Sequence, residues 1–175
     1  MVFLDTEFTN LEEPALLSFS MVSIDGFEIY AELDLALDPT GQARLAASSE
    51  FTRKTVIPQF GRVPQSKCSG RELGNKAGQW LLARAGGASG KITLAYDYED
   101  DFALLRSAML EAKIWDQVHT VLAPENIDDI TSCVDGVRAA EASWLESFLY
   151  RGIERHHSLA DALALRAAWR AVSGA

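Results

Sequence analysis

The chain has 175 residues, of which 48% are hydrophobic, and its formal net charge at pH 7 is −9. A chain of this length with so large an apolar fraction can bury one sizeable core, so we expect a single domain over residues 1–175. The acidic balance argues against a protein that coats long duplexes, because sequence-independent affinity for nucleic acid comes from Lys and Arg.

The first 33 residues predict three strands that form an antiparallel meander. Val2–Phe8 is a short apolar run, and residues 15–24 alternate well enough to form a second strand. The pair Asp25-Gly26 tolerates the positive φ angles of a two-residue hairpin turn. Residues 27–33 should therefore fold back as the third strand.

Residues 39–70 are rich in Pro, Gly, Ser, Gln and basic side chains and show no clear periodicity. This composition predicts a long surface segment with short helical turns around residues 43–48. Loops of this length inside a compact domain are usually functional or mobile.

Helices and strands alternate over the rest of the chain. The predicted helices are 71–85 (ending at Gly86-Gly87), 100–113, 137–151 and 159–172, and the predicted strands are 91–96 and 117–122. A meander followed by alternating helices and strands predicts an α/β fold, in which helices flank a mixed five-stranded sheet whose later strands are parallel.

Two acidic side chains interrupt the first strand. Asp5 and Glu7 point to the same face, about 7 Å apart along the strand, because side chains alternate across it. Ionised acids on a central apolar strand are costly unless a cation compensates them, and hard ions such as Mg²⁺ or Mn²⁺ prefer oxygen ligands. The alternative is that both acids lie on the solvated face of an edge strand.

A second acidic group follows the predicted strand 91–96. Asp97, Glu99, Asp100 and Asp101 stand at its carboxyl end and at the start of the next helix, where ligand sites of α/β folds commonly form. The alternative is that these acids only complement the helix dipole.

The third group, His156, His157 and Asp161, opens the last predicted helix. A structural interpretation makes Ser158 the helix cap and Asp161 the partner that completes a capping box. A functional interpretation makes Asp161 a metal ligand and a histidine the base that deprotonates water. In that case His156 must lie in the loop ahead of the helix, since residues five apart on one helix point about 140° apart.

Taken together, these segments resemble the DEDDh 3′-to-5′ exonucleases, and the resemblance spans nearly the whole chain. The motifs that carry it are DTEFTNL at residues 5–11 and HHSLAD at residues 156–161. The register of the second motif selects His156. The middle motif matches best at Asp101, which Leu104 and Leu105 follow, with Asp97 and Asp100 as alternatives. The chain departs from the family pattern at Asn10, Asp97 and Ser158, where Gly, Asn and Ala are usual.

The resemblance implies a ribonuclease H-like fold that holds two Mg²⁺ or Mn²⁺ ions through Asp5, Glu7, Asp101 and Asp161. It further implies that His156 accepts a proton from the attacking water. Phe8, Thr9 and Leu11 would grip the terminal nucleotide. The expected substrate is the 3′ end of single-stranded RNA or DNA, with RNA favoured over DNA, and the expected products are nucleoside 5′-monophosphates. The resemblance within the superfamily is greatest to a compact bacterial exoribonuclease family, and relatives are often homodimers.

Two other functions remain open at this stage. The chain could be a non-catalytic module that binds nucleic-acid ends, or a metal phosphohydrolase that acts on small nucleotides. Residues 53–76 contain six basic residues and one acid, either as an edge that guides phosphates or as an ordinary solvated loop. Because the chain starts without a basic, apolar leader and has no run of about 20 apolar residues, we expect a cytoplasmic protein.

Overall fold

A computed structural model describes residues 1–86 and 90–174. These residues form an α/β fold in which helices flank a mixed sheet of six strands. The strands are β1 (Val2–Phe8), β2 (Leu16–Ser23), β3 (Glu28–Leu33), β4 (Lys67–Cys68), β5 (Ile92–Tyr96) and β6 (Leu122–Asn126). The helices are α1 (Pro39–Ala47), α2 (Gly70–Arg84), α3 (Glu99–Glu111), α4 (Trp115–Val118), α5 (Asp128–Thr131), α6 (Val134–Arg151) and α7 (Ser158–Ser173).

The strand order in the sheet is β4-β3-β2-β1-β5-β6. Strand β2 runs antiparallel to both of its neighbours, whereas β4 pairs parallel with β3, β5 with β1, and β6 with β5. Strand β1 therefore lies inside the sheet, so the carboxylates that it carries are not on an edge strand.

The two faces of β1 contact different helices. Val2 and Leu4 belong to the main hydrophobic core with side chains of α2 and α3. Phe3 points to the opposite face, where its ring lies 5.7 Å from that of Trp169 on α7. Because side chains alternate along a strand, Asp5 and Glu7 share the face of Phe3 and point towards α7.

Helix α7 packs on β1 and β2. All eight residues of β2 are buried. The Ser158 hydroxyl lies 3.2 Å from that of Ser20 and 3.4 Å from that of Ser18. These contacts set the position of the first turn of α7 over the sheet.

The predicted number of strands, five, is wrong by one. The extra strand β4 has only two residues and pairs with β3 at the edge of the sheet. It lies in residues 39–70, which also contain α1, a π-helical turn at Thr52–Val56 and a 3₁₀ turn at Ile57–Gln59. Helix α1 begins four residues before the predicted turns because the Asp38 side chain caps it, accepting a hydrogen bond from Gly41 N at 2.9 Å.

The strand predicted at 117–122 is also wrong. Helical turns occupy Trp115–Val118 and His119–Val121, and the strand is Leu122–Asn126. Val118 and Val121 are fully buried, so both valines of this run pack into the core from helical turns. Pro124 is tolerated in β6 because this strand pairs only with β5 in the described sheet, and an edge strand need not use every N–H.

Four predicted helices match α2, α3, α6 and α7 within one to three residues at each end. The connection between β2 and β3 is longer than the two-residue turn expected, and Gly26 alone supplies the positive φ, at 91°. Gly87, predicted to follow α2, lies outside the described residues. None of the helices in the described part of the chain combines the length and the apolar character needed to cross a bilayer.

Candidate metal centre

A cavity of about 1130 Å³ opens between the end of β1, the start of α3 and helices α6 and α7. It is lined by acidic side chains and one histidine that the sequence motifs singled out in three distant stretches of chain. These lining residues are Asp5, Glu7, Asp97, Asp101, His156 and Asp161.

The ligand atoms in this cavity form two neighbouring groups. Glu7, His156 and Asp161 each offer one atom within 4.8 Å of the other two. Asp5, Asp97 and Asp101 do the same on the other side. Of the alternatives for the middle acid, Asp101 is buried and Asp97 is exposed, whereas Asp100 does not line the cavity as described. The structure therefore favours Asp101 as the middle acid and places Asp97 beside it.

Asp101 is held against β1 by Thr6. Its Oδ1 accepts hydrogen bonds from the Thr6 hydroxyl at 2.6 Å and from the Thr6 backbone N–H at 3.2 Å. Because Thr6 stands between Asp5 and Glu7, these two bonds fix the first turn of α3 to the strand that carries the other acids.

Asp161 is oriented by donors to both of its oxygens. The indole N–H of Trp144 on α6 donates to Oδ1 at 2.6 Å, and the backbone N–H of His156 donates to Oδ2 at 2.8 Å. The alternative interpretation of this segment as a capping box is wrong, since His157 caps α7 by accepting from Leu159 N at 3.2 Å. The Ser158 hydroxyl is directed at β2 instead.

Burial and mutual repulsion disfavour the ionised form of these acids. The pKa of Asp5 is raised well above its ordinary value, chiefly by burial and then by the charges of Asp161 and Asp101. Burial and the same two charges raise the pKa of Glu7. Burial raises the pKa of Asp101 to about 8 and that of Asp161 to about 7, although the hydrogen bonds to each carboxylate oppose the rise.

The acids fit a hard cation by their chemistry. Oδ2 of Asp5 and Oδ2 of Asp101 are buried and have no hydrogen-bond partner among the described residues. Buried polar atoms are normally satisfied, and an unpaired carboxylate oxygen inside a protein is costly. Carboxylate oxygens are the ligands that Mg²⁺ and Mn²⁺ prefer. A divalent cation would satisfy both atoms and offset the repulsion that raises the pKa values.

The two histidines have different positions. His156 lines the cavity, and its ring meets that of Phe51 edge-on at 5.0 Å between centroids. Burial, and then the positive charge of Arg155, lower its pKa, so His156 is neutral at neutral pH. His157 is buried beside Tyr30, with ring centroids 4.5 Å apart. His156 is thus the histidine placed to accept a proton in the cavity.

The three predicted substrate-gripping residues do not share one environment. Phe8 and Leu11 line the cavity, and Leu11 is 74% exposed. Thr9 is fully buried and does not line the cavity in the described structure. Its hydroxyl accepts from Ala15 N at 3.1 Å, and its carbonyl accepts from Ser49 N at 2.8 Å. Thr9 therefore supports the loop after β1, and the expected side-chain contact with substrate is not supported by this geometry.

Aromatic side chains border the cavity at positions that the sequence motifs did not predict. Phe51 and Trp144 line it, and no motif marked either residue. Tyr98 also lines it and stacks on Phe8 at 6.0 Å between ring centroids. Tyr96 and Trp115 pack at the edge of the main core.

The basic segment 53–76 contributes no Lys or Arg side chain to the described lining of this cavity. Arg53 donates to Ala46 O at 2.6 Å, Lys54 pairs with Glu50, and Arg62 donates to Gly152 O at 2.6 Å. The described cavity lining contains one Arg or Lys, Arg155, which lies outside that segment.

Compared with known proteins, the sequence matches no protein-family model, and it matches no curated protein at a significant level. Any functional assignment therefore depends on the residues of the cavity themselves.

Proposed function

We propose that this protein is a metal-dependent 3′-to-5′ exonuclease of the DEDDh type. It releases nucleoside 5′-monophosphates from the 3′ end of single-stranded nucleic acid, with RNA favoured over DNA. The observation that carries the proposal is the convergence of four carboxylates, Asp5, Glu7, Asp101 and Asp161. Two of them present buried oxygens that have no hydrogen-bond partner in residues 1–86 and 90–174. A neutral His156 beside them completes the set that the DEDDh motifs imply.

The topology supports a ribonuclease H-like fold. The core order β3-β2-β1-β5-β6, with β2 alone antiparallel, agrees with the meander and parallel strands expected of that fold. The acids of the candidate site lie near the carboxyl ends of the parallel strands β1 and β5 and in the first turns of α3 and α7. Ligand sites of α/β sheets commonly form at such ends.

The residues divide the work of phosphodiester hydrolysis. The carboxylates of Asp5, Glu7, Asp101 and Asp161 would hold two Mg²⁺ or Mn²⁺ ions, which supply Lewis-acid stabilisation of the attacking and leaving oxygens when bound. His156 accepts a proton from the water that attacks phosphorus, a role for which a neutral imidazole is required. Thr6 and Trp144 hold Asp101 and Asp161 in place through the bonds described above.

The walls of the cavity suit an unpaired strand end. Phe51 and Tyr98 are 54% and 46% exposed, and Leu11 projects beside them. Exposed aromatic and apolar surfaces stack on bases whatever the sequence, but only where the bases are not paired within a duplex. Because the protein carries a net charge of −9, it repels the phosphates of the nucleic acid that lie outside the cavity. Affinity for the nucleic acid must therefore come from contacts inside the cavity.

Digestion of matched, 5′-labelled RNA and DNA oligomers with Mg²⁺ or Mn²⁺ tests the proposal. We expect a ladder that shortens from the 3′ end, faster for RNA, and none with EDTA. Asp5→Ala should abolish release while the fold remains intact by circular dichroism. Asp116→Ala, which removes an exposed acid of α4, should behave as the wild type. Normal digestion by Asp5→Ala would refute the assignment.

A parallel assay with free nucleoside di- and triphosphates separates the remaining functions. Release of inorganic phosphate from them, without shortening of the oligomer, would indicate a small-molecule phosphohydrolase. Binding of the oligomer without any cleavage would indicate an end-binding module.

A further inference from the structure

The cavity is lined by an arginine, Arg155, whose guanidinium forms no ion pair with another described residue. Arg155 is the one Lys or Arg among the described lining residues, and eight acids line the same cavity. Its guanidinium has no carboxylate within 4.0 Å and donates no hydrogen bond within the described chain. Several other arginines do pair with acids, for example Arg62 with Glu154 and Arg84 with Asp25.

Trp144 explains how a guanidinium stays unpaired in so acidic a place. The Arg155 guanidinium carbon lies 4.7 Å from the centre of the Trp144 ring. Stacking on an aromatic face positions an arginine without occupying its N–H donors. The backbone is fixed as well, because Arg155 O accepts from Gln59 Nε2 at 2.9 Å. The donors are therefore held in place and remain available to a ligand.

The position of Arg155 in the cavity indicates which ligand group it meets. The residue precedes His156, and its guanidinium stacks on Trp144, whose indole N–H donates to Asp161 Oδ1 at 2.6 Å. It therefore lies on the side of the cavity where Glu7, His156 and Asp161 offer their ligand atoms. In the proposed reaction the water activated by His156 attacks phosphorus on this side.

We propose that Arg155 binds a non-bridging oxygen of the scissile phosphate, and that Trp144 holds it in position to do so. This inference rests on the proposed exonuclease function and adds a substrate-binding residue to it. An arginine suits the role because its charged N–H groups match a phosphate and form strong hydrogen bonds. After cleavage the same phosphate belongs to the released nucleotide, so Arg155 also contacts the product.

Binding measurements test the inference separately from catalysis. Fluorescence anisotropy of a 5′-labelled five-nucleotide RNA is followed in Ca²⁺ over a range of KCl concentrations, and the strand is checked for integrity afterwards. The variants are Arg155→Gln and Arg155→Lys. Arg106→Gln is the matched control, because Arg106 also stacks on a tryptophan, Trp115 at 5.4 Å, but outside the cavity. Melting temperatures show whether each variant is folded.

We expect Arg155→Gln to weaken binding of the RNA about tenfold, as loss of a charged hydrogen bond does. The slope of log Kd against log salt should fall by about 0.7, because one phosphate contact on a single strand is lost. AMP should inhibit this variant less than the wild type. Arg155→Lys should keep the slope and lose part of the affinity, and Arg106→Gln should match the wild type.

The opposite outcomes are equally definite. Unchanged affinity and slope in a folded Arg155→Gln, equal losses in Arg106→Gln, or no binding of RNA by the wild type would each overturn the inference. If wild-type protein shortens RNA while Arg155→Gln binds normally, the exonuclease proposal survives alone. If binding depends on Arg155 but the wild type releases no nucleotide, the exonuclease proposal fails and the phosphate site stands.

Discussion

Divalent cations should stabilise this protein, and the effect should grow with pH. Asp101 and Asp161 have pKa values of about 8 and about 7 in the folded chain, well above the ordinary value of 3.8. A carboxyl group whose pKa is raised by folding contributes stability that is complete below its unfolded pKa. That contribution is lost as the pH rises through the folded pKa. Metal-free protein should therefore become less stable between about pH 4 and pH 8.

The size of the effect follows from Asp101 alone. Between pH 5 and pH 7 the folded Asp101 keeps its proton while the unfolded one has lost it, so stability falls by ~1.4 kcal/mol per pH unit. The total over this range is about 3 kcal/mol. At this chain length 1 kcal/mol moves Tm by roughly 2–4 °C, which gives a fall of roughly 6–12 °C. Asp161 contributes in the same direction.

A bound cation should reverse most of this loss. At a concentration one hundred times its Kd, a ligand that binds only the folded chain adds about 2.7 kcal/mol. We expect 5 mM Mn²⁺ to raise Tm by roughly 5–10 °C at pH 7.5. The rise should be much smaller at pH 5.5, where protons occupy the same oxygens.

Differential scanning fluorimetry in EDTA and in Mn²⁺, at intervals from pH 5 to pH 8, measures both effects. Asp5→Asn should raise the Tm of metal-free protein at pH 7.5 and reduce the Mn²⁺ effect. Asp135→Asn, an exposed acid on α6, should change neither. A metal-free Tm that is constant or rises from pH 5 to pH 7 would refute the reasoning about the carboxyls. An equal Mn²⁺ effect at both pH values would place the cation elsewhere.

Three substitutions test other parts of the structure. His156→Asn should preserve the backbone conformation, because Asn tolerates the positive φ of 68° at this position. It should lower kcat about 10²–10⁴-fold and leave the Mn²⁺ effect on Tm unchanged. Single-turnover rates within tenfold of the wild-type rate would contradict the role of His156 as the base. Trp144→Phe removes the donor to Asp161 and should raise the Mn²⁺ concentration for half-maximal activity about tenfold, whereas Trp115→Phe should not. Gly74→Ala would place a Cβ 2.0 Å from Ala108 O, so we expect the free energy of unfolding, measured by chemical denaturation, to fall by about 1–3 kcal/mol. Wild-type stability in this variant would show that α2 and α3 do not pack so closely.

Local patterns were enough to predict most of the sheet and the long helices. The alternation in Val2–Phe8 fixed which face of β1 carries Asp5 and Glu7, because it depends only on strand geometry. The start of α2 was predicted within one residue. Ser69 and Glu72 form a capping box there, which is a signal contained within four residues.

The elements that were missed depend on contacts between distant residues. Strand β4 exists only because Lys67 and Cys68 pair with Glu32 and Leu33, more than 30 residues earlier. The run that includes Val118 and Val121 has β-branched residues typical of a strand, but burial against the core favoured helical turns instead.

The residues of the candidate site also differ in whether a local sequence pattern or a distant contact places them there. The acids and His156 lie in short motifs, so their residue types and spacing could be read from the sequence. Trp144 and Arg155 could not, because they belong to the site only through the packing of α6 against α7. Thr9 is the reverse case, since the side chain at a motif position near the cavity is hydrogen-bonded inside the protein.

Three serine side chains meet between β2 and α7, and this interface constrains their volume rather than their polarity. Ser18, Ser20 and Ser158 leave room for the helix axis to approach the sheet, and Asp161 and His156 are carried at a height set by that spacing. Alanine at any of the three would preserve the spacing. Valine at one of these positions would push α7 away from the sheet and displace the carboxylate of Asp161 without contacting it. A substitution in the α7–sheet interface can therefore disrupt the candidate site from a distance.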